Sequence, residues 1–434
     1  MSPVDLRTPG RPAPLRCRND AAGAAARTLD GLFSRAARRR PRAVLVREGP
    51  HTLAYGTADD LSTRLGTALL RTGVQLGDPV LVHCADHRHA LVAQLAVLKA
   101  GGVCVPVHAD APADRLREAA SVSGADVVLC GLATQRAWAG DGGPRPLALD
   151  DPQAWRQIAA WPVDRSLPRS APTEPAYLLP APEDGARPAA HLVDHRAWYL
   201  AMAARSARTG PCGPLVTVVE RPTGPAALSA LWWVLGSAGT LHVQPDPAAV
   251  PGPGVLVCET GAYAGVLDVL ATAPPGPRPR TVLLVGAPCP PALLTRHTEL
   301  LPATALRAEF APAGSVLPWA VSTHLSDGDA PADPGTLLTP APGVRLSLRG
   351  VLGEIRRPGE VGEIRRPGEV GEVCARGRNL PFDVLGDTWQ AGGGGPFLSS
   401  GYGGRWSPDG LLEILGRTPL AAAEPVRPGR LVTS

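Results

Sequence analysis

Between Arg42 and Gly131 short apolar runs alternate with stretches of helical period, and this alternation leaves few folds open to the chain. Ala43–Arg47 and Thr52–Tyr55 read as two strands joined by the turn Glu48-Gly49-Pro50. Thr57 is then the expected N-cap of a helix over 58–72, with Leu61, Leu65, Leu69 and Leu70 at helical spacing. Strand Pro79–Val82, helix His87–Ala100, strand Val103–Val107, helix Asp114–Ser123 and strand Ala125–Leu129 follow in strict order. Strands separated by one helix each predict an α/β fold built on a doubly wound parallel sheet. The middle repeats the pattern: strands at Leu215–Val219, Thr240–Val243, Gly254–Cys258, Arg280–Val285 and Thr304–Ala308, with helices at Ala226–Gly236, Tyr263–Ala271 and Pro291–Leu300. Toward the end the periods shorten, at Gly343–Leu348, Gly371–Arg376 and Gly410–Leu415, as in a small β-rich subdomain.

With 434 residues, 44% of them hydrophobic, the chain is long enough for two or three domains with large cores. The net charge of +4 is spread among 39 acids, so no basic face argues for nucleic acid. The dense run Arg35, Arg38, Arg39, Arg40 and Arg42 reads as the polar end of an amphipathic helix. The uncharged run Pro222–Pro245 is broken by Gly and Pro and reads as a core helix leading into a strand, not a membrane span. Eight widely spaced cysteines without a CxxC pair, and an N-terminus without an apolar signal core, fit buried thiols in a reducing cytoplasm. Residues 353–361 read GEIRRPGEV and residues 362–370 repeat them; two copies are too few for a solenoid. Such a duplication costs little in a surface connection, where doubling a loop adds about 0.6 kcal/mol.

In order, these segments resemble the adenylate-forming superfamily of acyl-CoA synthetases, luciferases and nonribosomal peptide synthetase adenylation domains. Leu95–Val107, LAVLKAGGVCVPV, is similar to that family's "LAVLKAGAAYVPL" block, and Leu53–Tyr55 with Leu61–Gly73 to its opening "LTYAEL…ANRLA" block. Gly371–Gly377 resembles "GELYVRG", and Gly401–Arg417, ending WSPDGLLEILGR, resembles "GDLARWLPDGxLEFLGR". The resemblance implies the family's N-terminal domain: a core over 31–335 of two doubly wound sheet subdomains divided near 175–215, and a small β-rich subdomain over 336–417. It also implies a flexible extension over 1–30, a shortened hinge over 418–434, and no C-terminal lid.

Departures from the family pattern fall on the chemistry. The family's phosphate loop "TSGSTGxPKG" cradles ATP with backbone N–H groups, hydroxyls and a lysine. Here that loop aligns with Ala181, Pro182, Glu183, Asp184, Gly185, Ala186, Arg187, Pro188, Ala189 and Ala190. The hydroxyls are gone, the lysine position is Ala189, and Glu183 and Asp184 bring carboxylates to the phosphate site, each costing about 4 kcal/mol at close range. The amine-binding aspartate falls at Pro225, the metal-holding Glu of "YGPTE" is lost around Gly314, and the ribose-gripping aspartate falls at Tyr402. Phe310, able to stack on adenine, and Arg417 are the nucleotide contacts the resemblance leaves. Of 43 basic residues only Lys99 is a lysine, and it falls in the family's structural "LKAG" helix end.

Two sets of histidines suggest metal ligation: His83, His87 and His89 beside Cys84, and His191 with His195, four apart at an expected helix start. Neither has the spacing of a closed tetrahedral site. No catalytic residue and no cofactor are therefore expected, and the reading is a degenerate adenylation-type protein of natural-product biosynthesis. It would act as a binding or scaffold partner of an active adenylation domain, a carrier protein or another biosynthetic enzyme. The alternative is an active ligase using ATP and Mg²⁺, with Arg187 on phosphate and a lid supplied in trans; a third is a sensor of a small aromatic ligand.

Overall fold

The computed structural model describes residues 27–138, 143–164, 166–168, 170–181, 189–244, 254–274, 276–312, 315–322, 337–349, 363–364, 367–385, 390–392 and 395–417. Two sheets organise them. The first has seven strands in the order Asp383–Leu385, Ala189–Asp194, Pro175–Ala181, Val103–Pro106, Pro79–His83, Val127–Cys130 and Arg145–Ala148. Its last five strands are parallel, and the first two add antiparallel. The second has fifteen strands, whose parallel core runs from Ala305–Phe310 through Thr281–Gly286, Val255–Glu259, Leu215–Val218 and Thr240–Val243 to Val44–Glu48.

Local sequence explains the helices that the periodicity predicts. His87–Ala100 starts where the Asp86 carboxylate accepts from the N–H groups of Arg88 and His89, and it ends at Gly101, whose φ of 80° a side chain would disfavour. The arginine-rich run does close an amphipathic helix, Leu29–Arg39, with Arg38 and Arg39 in its last turn. This helix begins inside the segment read as a flexible extension, because Phe33, Ala36 and Ala37 are buried and the N–H of Leu29 donates to Nδ1 of His195 (3.1 Å).

Other boundaries also move. The helix expected after Thr57 begins at Tyr55, whose buried hydroxyl donates to the carbonyl of Gly239 (2.8 Å). Gly56 permits this start, since a Cβ there would lie 3.0 Å from the Pro41 carbonyl oxygen. Strand Arg145–Ala148 and helix Pro152–Ala159, capped by Asp151, have no counterpart in the periodicity. The hairpin Val44–Ala54 does not join the sheet of the strands that follow it; Val46 pairs with Leu241, placing the hairpin on the edge of the second sheet.

The β-rich end is continuous with that second sheet. Ala320–Ser322 pairs with Glu309 and Phe310, Leu337–Pro340 pairs with Ala320–Ser322, and Leu412–Arg417 comes next. The same end sends Asp383–Leu385 to the edge of the first sheet, so it touches both. From the duplicated segment the structure describes Glu363–Ile364, a short strand against Leu348–Arg349, and residues 367–370; the remainder lies outside the described residues.

Lys99 is buried, and its ammonium faces the Asp59 carboxylate (2.7 Å), the Asp59 carbonyl (3.0 Å) and the hydroxyls of Ser62 and Thr63 (2.8 Å each). These acceptors more than use its three donors, so its role is structural. Cys84, Cys104, Cys130, Cys212, Cys258, Cys289 and Cys374 are buried free thiols, each with its pKa raised by burial; Cys17 lies outside the described residues. Because the thiolate is the reactive form, none of the seven should react with a thiol reagent in the native protein and all should react in denaturant. Mass spectrometry of alkylated native protein checks this; rapid native labelling of any of the seven would contradict the packing. Among the described residues no helix is long and apolar enough to cross a membrane.

Candidate functional site: a cavity at the strand ends

Parallel strands of a doubly wound sheet aim their carboxyl ends, and the loops that follow, toward one side, where ligands bind. Here both sheets do so toward a shared cavity of about 860 Å³. The first sheet supplies Val105–His108 and Asp110, and the second the strand ends and following loops at Glu220, Arg221, Thr223–Pro225, Glu259–Gly261, Val285–Ala287 and Ala311–Pro312. The β-rich end closes the cavity with Tyr402 and Arg417.

Tyr402 and Arg417 are register partners on adjacent antiparallel strands, and the guanidinium lies 5.8 Å from the centre of the phenol ring. Phe310 lies edge-on to Tyr402 at 5.2 Å and to Trp319 at 6.5 Å. Across the mouth Arg221 and Asp110 approach to 3.4 Å.

Glu220 is tightly held in the cavity wall. One carboxylate oxygen accepts from the N–H of Glu259 (2.7 Å), and the other from those of Ala226 (3.2 Å) and Ala227 (3.3 Å) in the first turn of helix Pro225–Ser237. Its main-chain carbonyl accepts from Nε2 of His87 (2.8 Å). Burial, and then the neighbouring Glu259 charge, push the Glu220 carboxyl up to about 8. Burial also raises Glu259, which His108 partly offsets.

The residues predicted from the family pattern have separate fates. Pro225 opens helix Pro225–Ser237 and lines the cavity, as do Tyr402, Arg417 and Ala190. Phe310 does not reach it: its ring is buried among Trp319 and Tyr402, so the aromatic surface at the wall is Tyr402. Ala181 and Ala189 pair at the ends of their strands, while Pro182, Glu183, Asp184, Gly185, Ala186, Arg187 and Pro188 lie outside the described residues, as does Gly314.

The histidine pairs separate. His191 sits in strand Ala189–Asp194, not on a helix with His195. His83 accepts from the Trp138 indole N–H (2.9 Å) and donates to the Ala109 carbonyl (3.1 Å). Among the described residues no group of three or more His, Cys, Asp or Glu could hold a metal ion. Sequence reading missed Glu220 and Glu259, ending each strand at the residue before the acid. An acid directly after a buried apolar strand is the signal that finds them.

Residues 33–182 match the family of AMP-binding enzymes. That segment is an AMP-binding domain of the adenylate-forming superfamily. Over 416 residues the chain is 30% identical to phosphinothricin tripeptide synthetase PhsC of Streptomyces viridochromogenes, covering 90% of this chain and 36% of that protein. It is 28% identical to a probable non-canonical nonribosomal peptide synthetase, CymA, of Salinispora arenicola, covering 91% of this chain and 5% of that one. The chain thus spans about a third or less of the length of these two relatives. Its fold matches the nonribosomal peptide synthetase FmoA3 with a TM-score of 0.73 at 20% identity, covering 90% of this chain and 42% of that one. A benzoate CoA ligase from Burkholderia xenovorans matches at 0.75 and 18% identity, covering 90% and 80%.

Proposed function

We propose that this chain does not form acyl adenylates and acts in natural-product assembly as a binding or scaffold partner of an active adenylation domain, a carrier protein or another biosynthetic enzyme. The observation that carries this reading is that two of the substituted positions stand in the cavity wall itself. Pro225 offers neither charge nor N–H where the family pattern has its amine-binding aspartate. Tyr402 presents a phenol ring, held by Phe310 and Arg417, where the pattern has its ribose aspartate. The one lysine is committed to Asp59, Ser62 and Thr63 and has no donor left for a phosphate.

Amino-acid-dependent exchange of pyrophosphate into ATP tests the proposal directly. The purified chain is expected to give no exchange above a protein-free control with any proteinogenic amino acid, and exchange with even one of them would overturn the reading. The rival is an active ligase with Arg187, which lies outside the described residues, on phosphate and a lid supplied in trans; the Arg417 guanidinium on the cavity wall is the observation that favours it. Calorimetry with ATP and Mg²⁺ separates the two: micromolar binding supports the rival.

A further inference from the structure

The cavity has a polarity that the non-catalytic reading does not use. Leu215–Val218 and Val255–Glu259 are adjacent parallel strands in which Val218 pairs with Val257. Glu220 and Glu259 each follow those partners by two residues, so the register itself sets two acids side by side where the strands open into the cavity. The main-chain bond from Glu259 to the Glu220 carboxylate (2.7 Å) fixes that approach. Three residues after Glu220, Thr223 lines the same cavity, and its hydroxyl oxygen is shielded from water and has no hydrogen-bond partner in the protein. Val105, Leu179, Leu228, Val285 and Val316 give the cavity an apolar stretch of wall, while Arg115, Arg221 and Arg417 also line it.

Two neighbouring carboxylates in a poorly solvated place repel each other, and a cation lodged between them relieves that repulsion. We propose that this cavity takes a primary amine with an apolar body, its ammonium group held by Glu220 and Glu259 with the Thr223 hydroxyl as a further acceptor. This deepens the binding role proposed above and rests on it only for the cavity being a ligand site. A carboxylate-bearing analogue of the same shape would meet like charge at this place and be rejected.

The pH dependence follows from the groups facing Glu220. These are Glu259 and Cys258 at the next strand end, His87 through the main-chain carbonyl, and Arg221 beside it; His108 faces Glu259, and Asp110 pairs with Arg221. Glu220 is raised to about 8, so near neutral pH it holds a proton that an arriving ammonium group displaces. Amine binding should therefore release protons and tighten as pH rises from 6.5 to 8.5.

Phenethylamine and 3-phenylpropionate are suitable probes, titrated calorimetrically into the full chain in two buffers of different ionisation enthalpy. The amine is expected to bind at least about tenfold more tightly than the acid, a difference of about 1.4 kcal/mol, with proton release. Glu259→Gln, which keeps the main-chain N–H to Glu220, should weaken the amine about tenfold and leave the acid no worse. Glu220→Gln should abolish the proton release; if that variant does not fold, Glu259→Gln alone decides. Equal affinities, no amine binding at millimolar concentration, or an amine affinity unchanged in Glu259→Gln would each overturn the proposal. Pyrophosphate exchange is read separately: exchange with the amine preference intact defeats the non-catalytic reading and not this one, and the reverse result defeats this one alone.

Discussion

Replacing Glu309 by Gln is expected to destabilise the protein by about 3–5 kcal/mol, because it leaves a buried guanidinium without its counter-charge. The Arg205 side chain is fully buried, and its Nε and Nη2 donate to the two Glu309 carboxylate oxygens at 3.1 and 2.5 Å. Arg208 adds a third donor to the same carboxylate (2.6 Å), and Arg205 Nη1 donates to the Ser229 carbonyl (3.1 Å). The guanidinium also lies 5.3 Å from the Trp233 ring centre. The network therefore joins helix His195–Thr209, helix Pro225–Ser237 and strand Ala305–Phe310, and the last two lead directly into the cavity wall. Urea unfolding monitored by circular dichroism measures the loss, and a change below about 1 kcal/mol would mean that the pair is not buried as described. The pH dependence has a definite sign. The two arginines hold the Glu309 carboxyl below its ordinary value despite burial. A depressed carboxyl contributes stability that is complete above the unfolded value of 4.5 and is lost as pH falls through the folded value. The wild type should therefore lose stability on acidification below about pH 4.5 more steeply than Glu309→Gln does.

Trp232→Ala is expected to cost a similar amount, about 3–5 kcal/mol, for a different reason. Trp232, on the second sheet's helix Pro225–Ser237, is buried with Tyr177 of the first sheet and Trp198. Its indole N–H donates to the Tyr177 hydroxyl (3.0 Å), which in turn donates to Gln94 Oε1 (2.6 Å). The Tyr177 ring lies 5.2 Å from that of Trp198 and 6.2 Å from that of Trp232. Truncation to alanine opens a cavity between the sheets and leaves the phenol without a donor. Trp232→Phe removes the donor and part of the ring, and should cost less than half as much. Denaturation midpoints of the two variants check this, and equal losses would place the effect in the hydrogen bond and not in the packing between sheets.

The element order was legible because each strand and helix carries its own period. Pro222–Pro245 shows this well: an uncharged run interrupted by Gly and Pro becomes helix Pro225–Ser237 and strand Thr240–Val243, as the pattern requires. Pro225, Tyr402 and Arg417, which the motif positions single out, line one cavity. Phe310 shows the limit of that reading. A motif assigns an aromatic residue to a position, but whether its ring faces ligand or core depends on what stands behind it, here Trp319 and Tyr402.

What the sequence determined by itself is the class of fold and the kinship, since both are written in local order and spacing. Which strands become neighbours was decided by the tertiary structure. The hairpin Val44–Ala54 crosses to a sheet whose nearest strand begins at Thr240, and Asp383–Leu385 returns to a strand beginning at Ala189. Glu220 and Glu259, 39 positions apart, become a pair only when their strands take register. Hydrophobic period records which face of an element is buried, and it carries no information about the partner that buries it. That partner is selected by the packing of the whole, and the packing made a pair of carboxylates out of two unremarked strand ends.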